Sequence, residues 1–120
     1  MDILEEIKFI NEYFVNLKAE STTATSEIAT IDSVINTFST IINENNEEQT
    51  HKNIGTKINK FNYKKYVNCK SALDEIIKMS KELNVEGISK TLLTTKTQML
   101  EKVEKQVVHK ISTYEKGQKA

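Results

Sequence analysis

The chain has 120 residues, with no proline, three glycines, no tryptophan and a single cysteine, which excludes an intrachain disulfide and a disulfide-rich secreted scaffold. Seventeen acidic and seventeen basic residues give a net charge of zero, and no apolar run approaches the roughly 20 residues of a transmembrane helix. The scarcity of helix-breaking residues favours an all-α protein, and the length fits one domain, residues 1–120.

The two halves of the chain carry opposite charge. Residues 1–50 contain ten acids and two lysines, whereas residues 51–120 contain fifteen lysines and seven acids. Because complementary charge helps to fix which helices pair and in which orientation, this pattern indicates that the two halves lie side by side. The pairing could be within one chain or between two chains.

A heptad pattern of apolar residues runs through the first half. One series is Ile3, Ile10, Leu17, Ala24, Ile31 and Phe38, and the other is Ile7, Phe14, Ser21, Ile28, Ile35 and Ile42. Since its phase continues through the Ser/Thr-rich stretch Ala19–Ser33, the pattern predicts one helix over about residues 2–47. The alternative is a break near residues 20–26, with Thr25 or Ser26 capping a second helix.

The second half begins with a polar turn. Residues 43–56 are aperiodic and include Gly55, which predicts a turn. Apolar periodicity then predicts a helix over about 57–84, a break near Gly87 and a last helix over about 88–115.

These elements allow two all-α architectures. If both halves run straight, the chain is a long antiparallel helical hairpin that resembles a coiled coil; if both break, it is a four-helix bundle. The first half has further apolar residues outside its heptad seam, namely Leu4, Phe9, Tyr13, Val15, Val34 and Ile41. Two helices cannot cover so wide an apolar surface, so either four helices fold together or a second chain covers it.

The sequence contains no motif that groups residues suited to catalysis, metal binding or phosphate binding. Cys69 lies on an apolar helix face, where a buried structural thiol is the ordinary case. His51 and His109 are 58 residues apart, which fits no metal-ligand motif, and Gly55 and Gly87 do not form a phosphate-binding loop. We therefore expect a protein that is not an enzyme and that needs neither a metal nor a cofactor.

The heptad seam is the candidate contact surface. It predicts helix–helix association with the same chain or with another helical protein, so the protein is expected to be an oligomer and to act as an adaptor, a chaperone-like protein or a secretion-partner subunit. The candidate protein-interaction residues are Ile10, Phe14, Leu17, Ile28, Ile31, Ile35 and Phe38.

A lysine-rich segment, residues 51–70, supports an alternative function in nucleic-acid binding. Lysines that neutralise phosphates, next to aromatic rings that stack on bases, are typical of sequence-independent binding. The candidate nucleic-acid-binding residues are Lys57, Lys60, Phe61, Tyr63, Lys64, Lys65 and Tyr66. The zero net charge and the lack of arginine, the usual reader of guanine edges, favour a docking face or a solvated surface instead. A small nucleic-acid-associated regulator is the alternative.

Two long helices around a central glycine-containing turn are similar in outline to the WXG-type substrates and small helical partners of type VII secretion. That family has Trp-x-Gly at the turn, where this chain has Asn53-Ile54-Gly55, and Tyr-x-x-x-Asp/Glu near the C-terminus, where Tyr114 is followed four residues later by Gln118. The resemblance is therefore limited to outline. It implies a small helical secretion partner.

The N-terminal segment is acidic where a signal peptide needs a basic flank, because Asp2, Glu5 and Glu6 precede its apolar residues. We expect a cytoplasmic protein, for which export would be independent of a cleaved signal.

Overall fold

The structure is a computed structural model that describes residues 2–20, 25–45, 54, 57–84 and 88–119. These residues form four helices and no strand: α1 (Ile3–Glu20), α2 (Thr25–Glu44), α3 (Tyr63–Glu82) and α4 (Ile88–Lys119). Each helix packs against the next, and α4 packs against α1, which closes the bundle. The all-α prediction is confirmed, and of the two predicted architectures the four-helix bundle is the one that the structure has.

The single helix predicted over about residues 2–47 is wrong, because α1 and α2 fold back on each other. The ring centroids of Phe14 and Phe38 are 5.7 Å apart, and Lys18 forms an ion pair with Asp32 at 2.5 Å. In one straight helix Phe14 and Phe38 would be separated by about 36 Å, at 1.5 Å per residue. The chain therefore reverses between Glu20 and Thr25, inside the alternative break region; residues 21–24 are outside the described part.

The core of the bundle consists of apolar side chains from all four helices, from Leu83 directly after α3 and from Ile54. In α2 the most buried side chains are Ile31, Val34, Phe38 and Ile41, whereas Ile35 and Ile42 are only partly buried. Val34 and Ile41 thus take the core positions that the heptad pattern assigned to Ile35 and Ile42, whereas Ile31 and Phe38 are buried as the pattern predicts. A chain reversal explains the shift, since two separate helices need not share one phase. The buried apolar residues are Ile3, Ile7, Ile10, Phe14, Ile31, Val34, Phe38, Ile41, Ile54, Tyr66, Cys69, Leu73, Ile76, Ile77, Leu83, Leu93, Leu100, Val103 and Val107.

A pair of asparagines delays the start of α3 to Tyr63, later than the predicted start near residue 57. The side-chain oxygen of Asn59 accepts hydrogen bonds from the backbone N–H groups of Phe61 (2.8 Å) and Asn62 (3.1 Å). The side-chain oxygen of Asn62 in turn accepts one from the N–H of Asn59 at 2.8 Å. These bonds hold the backbone in a turn, because asparagine side chains compete with helical hydrogen bonding.

Ile54 joins the end of α2 to α3 through polar contacts. The side chain of Asn45 donates to the carbonyl oxygen of Ile41 (2.8 Å) and accepts from the N–H of Ile54 (3.0 Å). The hydroxyl of Tyr66 donates to the carbonyl oxygen of Ile54 at 2.6 Å. Both polar groups of this buried backbone unit are therefore satisfied. Of the predicted turn 43–56, Asn43 and Glu44 belong to the end of α2, and residues 46–53, 55 and 56 lie outside the described part of the chain. The break predicted near Gly87 falls on residues 85–87, which are also outside it.

The order of the helices separates charge across the bundle. The acidic first half supplies the neighbouring helices α1 and α2, and the lysine-rich second half supplies α3 and α4. Each acidic helix also has one basic neighbour, since α1 contacts α4 and α2 contacts α3. The predicted side-by-side placement of the two halves is therefore present within the single chain.

Candidate interaction surface on α1 and α4

The residues predicted to contact a partner lie mostly in the chain's own core. Four of them have no exposed surface, and the other three are partly buried. The heptad seam therefore holds the bundle together, and a partner would have to contact other residues. The fully buried four are Ile10, Phe14, Ile31 and Phe38, and the partly buried three are Leu17, Ile28 and Ile35.

Each of α1 and α4 exposes one large apolar side chain on the side where the two helices meet. Phe9 is 43% exposed and Leu92 is 46% exposed. The ammonium group of Lys96 lies 4.4 Å from the centroid of the Phe9 ring, and Leu92 is one helical turn before Lys96, so it lies on the same side of α4. Phe9 and Leu92 therefore belong to one surface, which spans both helices.

A groove extends this surface along the two helices. Its volume is about 240 Å³, and Glu6 and Ile10 line it from α1, while Met99 and Val103 are among the residues that line it from α4. Tyr13, four residues after Phe9, is half-buried, and burial raises the pKa of its hydroxyl. We call the surface formed by Phe9, Tyr13, Leu92 and Met99, with the charged residues beside them, the α1/α4 face.

The acidic residues of the α1/α4 face come from α1. At about 100° per residue, Glu5, Glu6 and Glu12 lie on the same flank of α1 as Phe9. Lys18 lies on the opposite side of α1 from Phe9, where it forms its ion pair with Asp32 of α2, and Lys8 is about 100° from Phe9 around the helix. Among the described residues of α1, the flank toward α4 thus carries negative charge without a lysine.

The basic residues of the face come from α4. Lys96 contacts the Phe9 ring, and Lys102 lines the groove together with Gln106. Lys110 lies on the same flank by helical periodicity, and the acidic residues of α4, such as Glu101, lie toward α3, where Glu101 pairs with Lys81 at 3.5 Å. The α1/α4 face is therefore apolar along its middle, acidic on one side and basic on the other.

In the sequence, Phe9 is an apolar residue outside the heptad seam with no assigned role, and Leu92 belongs to the apolar stripe of the last helix. The signal for Leu92 was present in the spacing. The buried side chains of α4 repeat from Leu93 through Leu100 to Val107, and Leu92 and Met99 form a parallel row one position earlier. Such a second row marks the edge of an apolar stripe.

The candidate nucleic-acid-binding residues do not share one exposed face. Tyr66 is fully buried, and burial, with smaller contributions from Cys69 and Asp2, raises the pKa of its hydroxyl to about 12. Lys65 donates a 2.6 Å hydrogen bond to the carbonyl oxygen of Glu44 at the end of α2. Tyr66 is thus closed to base stacking, and the ammonium group of Lys65 is held against α2.

The other aromatic residues of that segment differ in exposure. The ring of Tyr63 packs against that of Tyr114, with centroids 5.2 Å apart, and its hydroxyl donates to Glu115 at 2.8 Å. Phe61 is 56% exposed, and the ammonium group of Lys60 lies 5.1 Å from its ring centroid. Lys57 and Lys64 are also exposed, so four of the seven candidates remain at the surface before and at the start of α3.

The free thiol of Cys69 is buried, as expected from the apolar helix face on which it lies. Burial raises its pKa to about 12, and the nearby Glu44 carboxylate acts in the same direction. The thiol is therefore protonated at neutral pH, whereas a nucleophilic cysteine reacts as the thiolate. His109 is exposed, and within the described ranges no group of three or more His, Cys, Asp or Glu side chains is arranged to hold a metal ion.

A further cavity lies between the end of α3 and the start of α4, with a volume of about 550 Å³. The hydroxyl of Ser80 is buried there, and none of the described residues forms a hydrogen bond with it. Thr97, which also lines the cavity, donates its hydroxyl proton to the carbonyl oxygen of Leu93 at 2.8 Å. Most of the other side chains that line the cavity are polar or charged and exposed, Lys81, Asn84 and Gln98 among them, and we assign no ligand to it.

Comparisons with protein-family models, with curated proteins and with solved structures found no match to this chain. The outline similarity to small type VII secretion partners therefore gains no support from them. None of the helices in the described part of the chain is long and apolar enough to cross a membrane. The class that the fold defines is an all-α four-helix bundle.

Proposed function

We propose that this protein is a non-enzymatic helical interaction protein, which acts by helix–helix association with itself or with another helical protein. An adaptor, a chaperone-like protein and a secretion-partner subunit are all of this kind. The observation that carries the proposal is the exposure of Phe9 and Leu92 on one surface, although the bundle already has a complete apolar core. Neighbouring exposed apolar side chains with charged residues around them are typical of protein-binding surfaces.

Two features of the α1/α4 face suit this function. Both Phe9 and Leu92 lie on regular helices that pack firmly on the core, so they are presented without a large loss of conformational freedom on binding. The acidic and basic flanks on either side supply directional contacts that distinguish one partner orientation from another. The seam residues predicted from the sequence support this surface from inside the bundle.

Site-specific photo-crosslinking tests the proposal. Phe9 is replaced by a photoreactive phenylalanine analogue, the protein is irradiated in the cells that naturally produce it, and cross-linked products are identified by mass spectrometry. Val15 is the matched control, because it lies on α1 with an exposure of 45% but on the opposite flank. The proposal predicts a discrete product at Phe9 that is missing at Val15. No product at Phe9, or the same products at both positions, would contradict it.

Nucleic-acid binding remains a second candidate, and the exposed pair of Lys60 and Phe61 is the observation that favours it. Fluorescence anisotropy with a single-stranded oligonucleotide would show an affinity that falls steeply with salt. If this candidate function is correct, replacing Lys57, Lys60 and Lys64 with glutamate abolishes binding and Tyr66→Phe leaves it unchanged. Binding that survives the triple replacement would remove the site.

A further inference from the structure

We infer that a second copy of this chain binds the α1/α4 face, which forms a two-fold symmetric dimer with its axis parallel to the helices. This inference rests on the proposed function and names the partner. It follows from the arrangement of charge and apolar surface on the face, considered under the rotation that relates the two copies.

Rotation by 180° about an axis parallel to the helices places α1 of one copy opposite α4 of the other. The acidic flank that contains Glu5 and Glu12 then faces the partner copy's lysines, including Lys102, and the same contacts occur twice. The four helices at the interface would alternate in charge. Rotation about an axis perpendicular to the helices would instead place α1 against α1, acid against acid, which is unfavourable.

The same rotation brings the apolar residues together. Because it leaves each residue at its own height along the axis, Phe9 of one copy faces the stretch of the other copy's α4 that contains Lys96, the residue that Phe9 contacts in its own chain. Leu92 and Met99 lie within one turn on either side of Lys96. Phe9 can therefore pack against two apolar side chains of the second copy, and the apolar centre is shielded by charged flanks.

The other faces of the bundle fit a second copy less well. The α3/α4 face is basic on both helices, so two such faces would repel each other. The α2/α3 face has one acidic and one basic helix, but none of the large apolar side chains that are exposed among the described residues lies on α2 or α3. Only the α1/α4 face of the described bundle combines charge complementarity with exposed apolar side chains.

The size of the face indicates a small interface. At 1.5 Å per residue and 10–12 Å per helix diameter, the overlap of α1 with α4 covers roughly 500 Å² of projected area on each copy. Stable complexes bury about 800 Å² per partner, so this dimer belongs at the weak end of specific interfaces. We expect dissociation in the micromolar range, with monomer and dimer both present at accessible concentrations.

Sedimentation velocity of the purified full chain, over about a hundredfold concentration range, tests the inference. The expected result is a mass that rises from 13.7 kDa toward twice that value. Leu92→Glu is expected to weaken dimerisation by at least about a hundredfold, because it places a charge in the apolar centre. The control, Val108→Glu, changes a side chain of similar exposure on the other flank of α4 and is expected to dimerise normally. Equal effects of the two variants would overturn the inference.

A charge reversal tests the symmetry of the dimer. Glu5→Lys and Lys102→Glu are each expected to weaken dimerisation by about fivefold, and the double variant is expected to recover it, since Glu5 of each copy faces Lys102 of the other. If the double variant is weaker than both single variants, the proposed orientation is wrong.

A chain that stays at 13.7 kDa throughout the sedimentation experiment would overturn the dimer. In that case, a Phe9 cross-link to another protein would leave the proposed function standing, and the loss of that cross-link as well would remove both.

Discussion

The aromatic rings of Phe14 and Phe38, which lie 24 residues apart in the sequence, pack with their centroids 5.7 Å apart in the interface between α1 and α2. Both side chains are fully buried. Tyr13 adds an edge-to-face contact with Phe14, at a centroid separation of 5.2 Å and an interplanar angle of 80°. This aromatic cluster packs the two acidic helices α1 and α2 against each other.

Truncation of Phe38 should therefore be costly. We expect Phe38→Ala to lower the free energy of unfolding by about 3–5 kcal/mol, because it removes a fully buried aromatic side chain and leaves a cavity. Phe61→Ala is the matched control, since that ring is 56% exposed, and we expect a change within about 0.5 kcal/mol. Urea unfolding followed by circular dichroism measures both. Similar losses for the two variants would contradict the placement of Phe38 in the core.

Adjacent isoleucines in α2 test the observed phase of the seam. Ile41 is 2% exposed, whereas Ile42 is only partly buried at the edge of the core. We expect Ile41→Ala to cost about 2–4 kcal/mol and Ile42→Ala about half as much, because the cost follows the buried area and the cavity. Unfolding midpoints in urea, compared at equal slopes, give the order. The reverse order would restore the seam predicted from the sequence.

The class of fold and much of the core were predictable from the sequence, because the apolar spacing that selects helices is a local property. Ile10, Phe14, Ile31 and Phe38 were identified correctly as seam positions, and all four are fully buried. The pattern could not decide between one helix and two packed helices. A phase that continues through a Ser/Thr-rich stretch is compatible with both, and the exact position of a chain reversal depends on packing between distant residues.

The candidate surface was harder to predict than the core. Exposed residues obey no spacing rule of their own, and Phe9 and Leu92 come to lie on one face only when α4 packs against α1. The burial of Tyr66 has a similar origin. Its hydroxyl is satisfied by the carbonyl oxygen of Ile54, a contact that depends on how the chain approaches α3. Among the nucleic-acid candidates, a local reading of lysines and aromatics could not separate buried rings from exposed ones.

Removal of the Tyr66 hydroxyl tests the junction at Ile54. We expect Tyr66→Phe to lower the free energy of unfolding by about 1–2 kcal/mol, because the buried carbonyl group of Ile54 loses its hydrogen-bond donor. Tyr63→Phe is the control, as its hydroxyl bonds to Glu115 at the surface and water can replace that contact. Thermal unfolding by calorimetry compares the two variants. A neutral Tyr66→Phe would show that the bond to Ile54 contributes little.

Alkaline pH should destabilise the protein through Cys69. The thiol has a pKa of about 12 in the folded chain, against 9.0 as its ordinary value. The unfolded state therefore loses its proton first, so stability is fully present below pH 9 and falls as pH rises from 9 toward 12. The loss is at most about 1.4 kcal/mol per pH unit.

A cysteine-free variant isolates this effect. Cys69→Ala costs stability at pH 8, but it has no thiol to ionise, so the difference between the natural chain and the variant should shrink between pH 9 and 11. Tyr66, whose pKa is also raised to about 12, contributes to both proteins mainly through its burial, which the variant keeps, while the smaller contribution from Cys69 is lost in the variant. Urea unfolding at each pH provides the comparison. A difference that stays constant with pH would contradict the burial of the thiol.

The most direct test of the α1/α4 face is a dilution series of ¹H–¹⁵N correlation spectra. We expect amide signals of residues around Phe9 and Leu92 to shift with protein concentration, and those around Asp32 in α2 and Lys78 in α3 to stay in place. Leu92→Glu should remove the shifts, and Val108→Glu should keep them. Spectra that do not change with concentration, or shifts centred on α2 and α3, would contradict the assignment of this face as the site where two copies meet.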